Sequence, residues 1–432
     1  MYVSDGLTVN ASGHLCVSGC DTVALAKEYG TPLYIFDEAL IRANLRAFRA
    51  AIEEIYGGNG LVIYASKAFN CKELCRITMQ EGAGLDVVSG GELYTALSVG
   101  FPVDKIVFHG NNKTYDELVM AVDNNVGRVI VDNITELETL DAIARSKGKT
   151  VGIMLRIKPG IDAHTHDFVR TGQIDSKFGF ALETGEAMAA VKEALGMPNL
   201  KLRGLHCHIG SQIFTPDPFV LAAEVMLDFM HLVQTETGTT LRELNLGGGF
   251  SIKYLESDPL IPYNDFMRTV AHALREKAQS LGFPMPFVLI EPGRSIVGAA
   301  GVTVYTVGSV KTIPGIRTFV SIDGGMGDNP RYALYQSDYE LVCANKADQP
   351  RSTRITLAGK CCESGDLIQE NAPLQPVEPG DYVAVLSTGA YTYSMASNYN
   401  RIPRLPVILA NEGQARMIIK RETYEQLIEN DL

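Results

Sequence analysis

Eight short apolar runs, each closing on glycine or a polar residue, constrain this chain more than any other feature. They are LVIYAS (61–66), GLDVVS (84–89), KIVFHG (105–110), RVIVDN (128–133), VGIMLRIK (151–158), LRGLHCHIG (202–210), LRELNLGGG (241–249) and FVLIEPGR (287–294). Strands in a parallel sheet, covered on both faces, read as near-continuous apolar runs rather than alternating ones. Helical patterns fill the gaps. TYDELVMAV and TELETLDAI each open with capping-box spacing, Thr114 with Glu117 and Thr135 with Glu138. Residues 37–56 form an amphipathic pattern with Leu40, Ile41, Leu45 and Phe48 on one side. Eight strands alternating with helices favour a (β/α)8 barrel over a doubly wound open sheet.

After about residue 299 the rhythm changes. GVTVYTVGSVKT, RTFVSIDGG, RITLAGKC, DYVAVLST, RLPVILA and ARMIIKR read as strands with short turns, and ANEGQ as a hairpin turn between the last two. The expectation is therefore a barrel over 36–298. A second, C-terminal β-sandwich or barrel-like domain comprises 299–432, joined by the strand-like residues 1–35.

The 432 residues, 46% of them hydrophobic, suffice for two such cores. A net charge of -12 argues against nucleic acid or an anionic membrane as the main partner. No apolar stretch approaches the length of a membrane helix. The N-terminus has no basic region followed by an apolar run, so an export signal is not expected. Eight cysteines without a CxxC pair then read as reduced thiols in the cytoplasm.

Barrel chemistry gathers at the C-terminal ends of the strands. Here those ends carry Lys67, SGGEL (89–93), HGNNK (109–113), HCHIGSQ (206–212), GGGF (247–250) and EPGR (291–294). Lys67 is either a strand-end lysine with its ammonium in water or a desolvated amine poised to attack a carbonyl. Gly247, Gly248 and Gly249 form either a tight turn or a set of amides aimed at one anion, and Pro292, Gly293 and Arg294 add to the second option. A lysine and a phosphate site in one barrel mouth imply pyridoxal 5′-phosphate. Glu291 would then keep the pyridine nitrogen protonated. His206 and His208 share a side of strand six; they suit a metal, a ring stack or a hydrogen-bonded core position, the last favoured for His206. The histidines of DAHTHD (162–167) lie in a loop beyond strand five. No metal is expected.

The motifs YASKAFN, GLDVVSGGEL, HGNNK, RIKPGIDAHTHDFVRTGQIDSKFG, GLHCHIGSQI, LNLGGGF and EPGRSIV together resemble the alanine-racemase-like, fold type III pyridoxal-phosphate decarboxylases. DGGMGDNPRYALY, GKCCESGD and GAYTYSMASNYN are similar to the diaminopimelate decarboxylase branch, and the match runs in order over almost the whole chain. The resemblance implies that Lys67 forms the imine link to the cofactor and that His208 stacks on its ring. It places Ser211, Gly248, Gly249 and the EPGR amides (Glu291, Pro292, Gly293, Arg294) about the phosphate and the ring. Tyr391 would touch cofactor and substrate. It also implies substrate reading by Arg294, Arg331, Tyr335 and Glu363, with Cys362 as the catalytic thiol and Cys361 in packing. A homodimer follows, in which Cys362 and Glu363 serve the neighbouring subunit's site. The pattern departs from the family at Tyr332, often Pro, and at Thr392, often Cys.

The implied substrate, meso-2,6-diaminopimelate, presents a carboxylate and an ammonium at its distal end. Arginine suits the first and Glu363 the second. The implied reaction releases CO2, leaves L-lysine, and takes its final proton from Cys362 or Lys67. A sister enzyme acting on ornithine, arginine or carboxynorspermidine is the alternative, and Arg331 with Glu363 argues against it. A racemase would prefer a poorly protonated pyridine, against Glu291. A cofactor-free binding protein would have no use for both Lys67 and the glycine loop. A metal-dependent hydrolase would rest on His206 and His208.

Overall fold

The computed structural model describes residues 3–161, 176–260 and 262–432. The loop holding DAHTHD lies outside these residues from position 162 on. Two compact units emerge. One comprises 44–251 and 260–293, the other 1–43, 252–259 and 294–432.

The first unit is built on eight parallel strands: β1 Gly60–Ala65, β2 Gly84–Val87, β3 Ile106–Phe108, β4 Arg128–Val131, β5 Val151–Lys158, β6 Leu200–His206, β7 Glu243–Asn245 and β8 Phe287–Ile290. Each pairs with the next, and β8 returns to β1 with Leu289 opposite Leu61, so the sheet closes. Closure removes both edges and confirms the barrel expectation over the open sheet. A short strand, Phe180–Ala181, adds to β5. Inside the barrel, Ile63, Val107, Ile130, Met154 and Leu289 pack into a dry layer.

Local sequence explains most helix boundaries. Helix 115–123 starts with the expected box: the Thr114 hydroxyl accepts from the Glu117 amide, and Glu117 reaches back to the Thr114 amide. The box expected at Thr135 and Glu138 does not form. Asn133 caps the helix Ile134–Ser146 by accepting the Glu136 N–H at 2.9 Å, which leaves Thr135 already inside the first turn. Asn ranks above Thr as an N-cap, so the earlier start prevails. On the helix Glu38–Tyr56, Ile41, Leu45 and Phe48 are buried, whereas Leu40 is only half-buried, at the border of the apolar stripe.

The second unit is a sheet domain. Its long strand Gly301–Ile313 pairs with Leu33–Asp37, Arg317–Ile322 and Tyr382–Val385. Alternate residues of that strand enter different cores: Val302 and Val304 join one, Tyr305 and Val307 the other. The hairpin Val407–Asn411 to Gln414–Ile419 turns through Glu412 and Gly413, both at positive φ, as tight two-residue turns require. Residues 7–21 form a separate three-stranded sheet. Strand Leu367–Leu374 was not expected from its sequence, because Gln369, Glu370 and Asn371 break the apolar pattern; Asn371 takes φ 49° where the pairing register shifts. All eight cysteines are free, and no helix among the described residues is long and apolar enough to cross a membrane.

The closed layer generates the first prediction. Leu289→Ala removes a fully buried side chain and should destabilise the barrel by about 2–5 kcal/mol. A lowered denaturant midpoint in circular dichroism checks it, and an unchanged midpoint contradicts it.

Candidate active site at the barrel strand ends

The strand ends of the barrel unit converge on one buried carboxylate. Glu291, directly after β8, accepts a hydrogen bond at 2.7 Å from His109 Nε2 and another at 2.7 Å from Asn245 Nδ2, both at Oε1. His206 Nε2 lies 3.4 Å from Oε2. Burial pushes the Glu291 carboxyl upward, but His109 and His206 outweigh it and hold the group well below the usual carboxylate range. An ionised carboxylate only accepts, so His109 carries its proton on Nε2. Asn245 Oδ1 accepts the Gly247 N–H at 2.9 Å, which fixes the amide orientation and ties the glycine loop to Glu291.

Burial holds His206 and His208 neutral. Burial, first, drives His206 down to about 3, and its ring meets that of His109 edge-on at 4.8 Å. His208, half-buried one residue beyond Cys207, is held well below its ordinary value by burial and then by the Lys67 and Arg156 cations. His206 thus occupies the core position favoured for it from sequence. The ligand atoms of His109, His206 and Glu291 lie within 4.8 Å of one another. While His109 donates its Nε2 proton to Glu291, that nitrogen has no lone pair for a metal.

Lys67 is exposed, in a single turn Ser66–Ala68 that follows β1, and not desolvated as one reading of the sequence anticipated. Its ammonium is felt by Asp86, Glu92 and His208. Near it, Glu92 Oε2 accepts from the Val88 amide and from Ser66 Oγ. Lys113 of HGNNK is buried and donates to the Gly110 and Ile130 carbonyls and to Glu136, all within 2.7–2.9 Å. These bonds pin the loop after His109 to β4.

The glycine loop is shaped by close backbone approach. A Cβ on Gly248 would lie 2.1 Å from the Glu291 carbonyl oxygen, and Gly249 sits at φ +123°. Among the described residues no acceptor meets the amides of Gly248, Gly249 and Gly293. Buried amides are seldom left so, and three of them suit an oxyanion. The Pro292 carbonyl accepts from the Ala65 amide at 3.1 Å, joining the EPGR loop to the end of β1. Ser211 is half-buried in the turn after His208.

The sheet unit holds a second set. Arg294 is buried and donates to the Tyr254 hydroxyl, and its guanidinium lies 4.8 Å from the Tyr391 ring centre. Arg331, also buried, lies 5.2 Å from Tyr335 and 5.9 Å from both Tyr254 and Tyr391. Arg331 donates to Ser337 Oγ at 3.3 Å, but its Nε has no acceptor and it meets no carboxylate among the described residues. Tyr391 takes φ +58°, an uncommon conformation for a bulky residue. Cys361 is buried, and burial raises its thiol to about 11; Cys362 and Glu363 are exposed.

Sequence reasoning missed His109, Asn245, Asp86 and Arg156 as site residues; only His109 lies in a strand-end motif, while Asp86, Arg156 and Asn245 lie within the barrel strands. Tyr254 carried no such signal.

Comparison with known proteins completes the picture. Residues 38–298 match the family model of the pyridoxal-dependent decarboxylase pyridoxal-binding domain. The chain is 47% identical to the diaminopimelate decarboxylase of Bacillus subtilis (strain 168) over 432 residues, 100% of this chain and 98% of that one. It is 44% identical to the diaminopimelate decarboxylase of Staphylococcus aureus (strain COL), with 98% of each chain covered. The crystal structure of the diaminopimelate decarboxylase from M. jannaschii in complex with L-lysine matches with TM-score 0.91 and 34% identity, over 100% of this chain and 99% of that one.

The buried carboxyls predict a pH dependence. Burial, with Asp86 adding, lifts Glu92 from 4.5 to about 7. The folded chain therefore binds this proton more tightly than the unfolded chain. The resulting stability is complete below pH 4.5 and is lost as pH rises through about 7. Glu92→Gln should shrink the fall in melting temperature between pH 5 and pH 8; an unchanged fall would show that other groups set it.

Proposed function

Because the chain belongs to the pyridoxal-dependent decarboxylases, and among them to the diaminopimelate decarboxylases, we propose a residue-by-residue account of how it removes CO2 from meso-2,6-diaminopimelate to leave L-lysine. The activity, its place in lysine biosynthesis and the pyridoxal 5′-phosphate cofactor follow from that membership. The residues present fit the cofactor. The amides of Gly248, Gly249 and Gly293 have no acceptor among the described residues, Glu291 is ionised at depth, and Lys67 offers a primary amine. When bound, the cofactor supplies an aldehyde for an amine and a protonated pyridine ring that absorbs the electron pair freed by CO2 loss.

In this account Lys67 would hold the cofactor through its side-chain amine. Glu291 keeps a proton on the pyridine nitrogen, and His109 and Asn245 orient it by occupying Oε1. His208, uncharged, would face the ring without adding a positive charge that opposes that proton. Ser211 and the loop amides of Gly248, Gly249, Pro292–Gly293 and Arg294 surround the phosphate; Pro292, lacking an N–H, shapes the loop. Arg294 and Arg331 read the distal carboxylate, with Tyr335 and Tyr391 as aromatic walls, and Glu363 pairs with the distal ammonium. Cys362 or Lys67 returns the final proton to carbon. The enzyme works as a homodimer in which Cys362 and Glu363 serve the other chain's site; their exposure, beside buried Cys361, supports this.

The observation that carries the substrate assignment is Arg331. A buried guanidinium with no carboxylate among the described residues calls for an anionic ligand, and a polyamine-type substrate ending in a bare ammonium provides none. CO2 release from a panel of amino acids tests it. Preference for meso-diaminopimelate over ornithine is expected, and the reverse order would end the assignment. Arg331→Ala should lower kcat/KM for diaminopimelate on the order of 10²–10³-fold, from about 3–5 kcal/mol for breaking a buried charge pair. Lys67→Ala should abolish turnover. Mixing the inactive Lys67→Ala and Cys362→Ala chains should restore activity, and verified mixed dimers without rescue would refute shared sites.

A further inference from the structure

The opposite, N-terminal end of the barrel holds a polar cavity of about 420 Å³, between the segments that lead into β4 and β5 and the bulge in β6. Three cations reach it: Arg128, Lys149 and Arg203. Arg128 grips Glu243 with a two-pronged pair, Nε to Oε2 at 2.7 Å and Nη2 to Oε1 at 2.9 Å. That leaves Arg203 a single long contact with Oε1, at 3.5 Å. Arg203 Nε is buried with no acceptor among the described residues. One carboxylate thus serves two guanidiniums, and one of the two retains unmet donors. Lys149 spends two of its three hydrogens on the Val122 and Asp123 carbonyls, at 2.8 and 2.9 Å, and keeps the third.

The backbone is built around this arrangement. The β6 register against β5 shifts between Leu202 and Gly204, which places Arg203 in a bulge; bulges re-aim side chains. Across from it, a Cβ on Gly152 would lie 2.6 Å from Arg203 Nε, so only glycine leaves the guanidinium its seat. Asp104, also on the lining, opposes the accumulation of several negative charges. We propose that this cavity is a binding site for a small oxyanion of one or two charges, a phosphate or a short carboxylate, held by the exposed end of the Arg203 guanidinium and by Lys149. It involves none of the residues assigned to decarboxylation. The planar guanidinium end and the spare ammonium hydrogen match the oxygens of either anion through charge-assisted hydrogen bonds.

Calorimetric titration of the holoenzyme at constant ionic strength tests this, with inorganic phosphate and succinate in separate arms. Saturable binding of one anion per chain is expected in at least one arm, and the responding arm identifies the source. Arg203→Gln should raise Kd at least roughly ten-fold, as loss of a charge-assisted hydrogen bond does. Lys149→Gln, which leaves the Arg128–Glu243 pair untouched, provides the same test should Arg203→Gln not fold, and should also raise Kd. Catalysis without added anion should be unaffected by either change. No saturable binding in either arm, or wild-type affinity in a folded variant, overturns the proposal.

Discussion

The chemistry of the barrel unit depends on one ionised carboxylate kept where water is scarce. Burial alone would protonate Glu291, and a neutral acid could not hold a proton on a neighbouring ring nitrogen. His109 and Asn245 prevent this by donating to the same oxygen, while His206 adds a favourable dipole from the other side. None of the three is placed by chance. His109 directly follows β3, Asn245 ends β7 and His206 ends β6, so strand closure brings them to Glu291 directly after β8. Their supports are built in turn: Lys113 pins the β3 loop to β4, and the Gly247 amide fixes the Asn245 side chain. Burial drives His206 to about 3, so next to this anion its imidazole stays neutral.

Much of this was legible in the sequence, for identifiable physical reasons. All eight barrel strands were visible because a parallel strand covered on both faces must be apolar along its length. The strand-end motifs pointed to Lys67, His208, Glu291 and the glycine loop because polar residues abruptly follow those runs. What could not be read was pairing across distant strands: that His109 and Asn245 share one oxygen of Glu291 is a consequence of closure, not of local pattern. Competition between neighbouring caps also escaped notice, since Asn133 and Thr135 are both good starts and only the turn geometry selects the first. Strand Leu367–Leu374 was hidden because a bulge breaks its alternation. Tyr254 was hidden because an isolated tyrosine in a loop carries no period.

The exposure of Lys67 refines the meaning of the sequence signal. A lysine after a buried strand suggested an amine stripped of water, yet the turn Ser66–Ala68 carries it outward. Its influence instead runs through its neighbours. Burial raises both Asp86, to about 6, and Glu92, to about 7, so near neutral pH Glu92 is only partly ionised while Asp86 keeps most of its charge.

The two charged centres differ in a way that bears on specificity. Glu291 is satisfied by its own unit, with partners for its charge at 2.7 Å, and is therefore part of the scaffold. Arg331 is not: it is ringed by Tyr254, Tyr335 and Tyr391, whose faces temper a cation without neutralising it. Its polar contacts are with hydroxyls, those of Ser337 and Tyr339, and among the described residues no carboxylate meets it. A substrate with an ammonium alone at that end would add repulsion to the same deficit. If Arg331 reads the distal carboxylate as proposed, discrimination between a diamino diacid and a substrate without that carboxylate would rest on electrostatic mismatch more than on size.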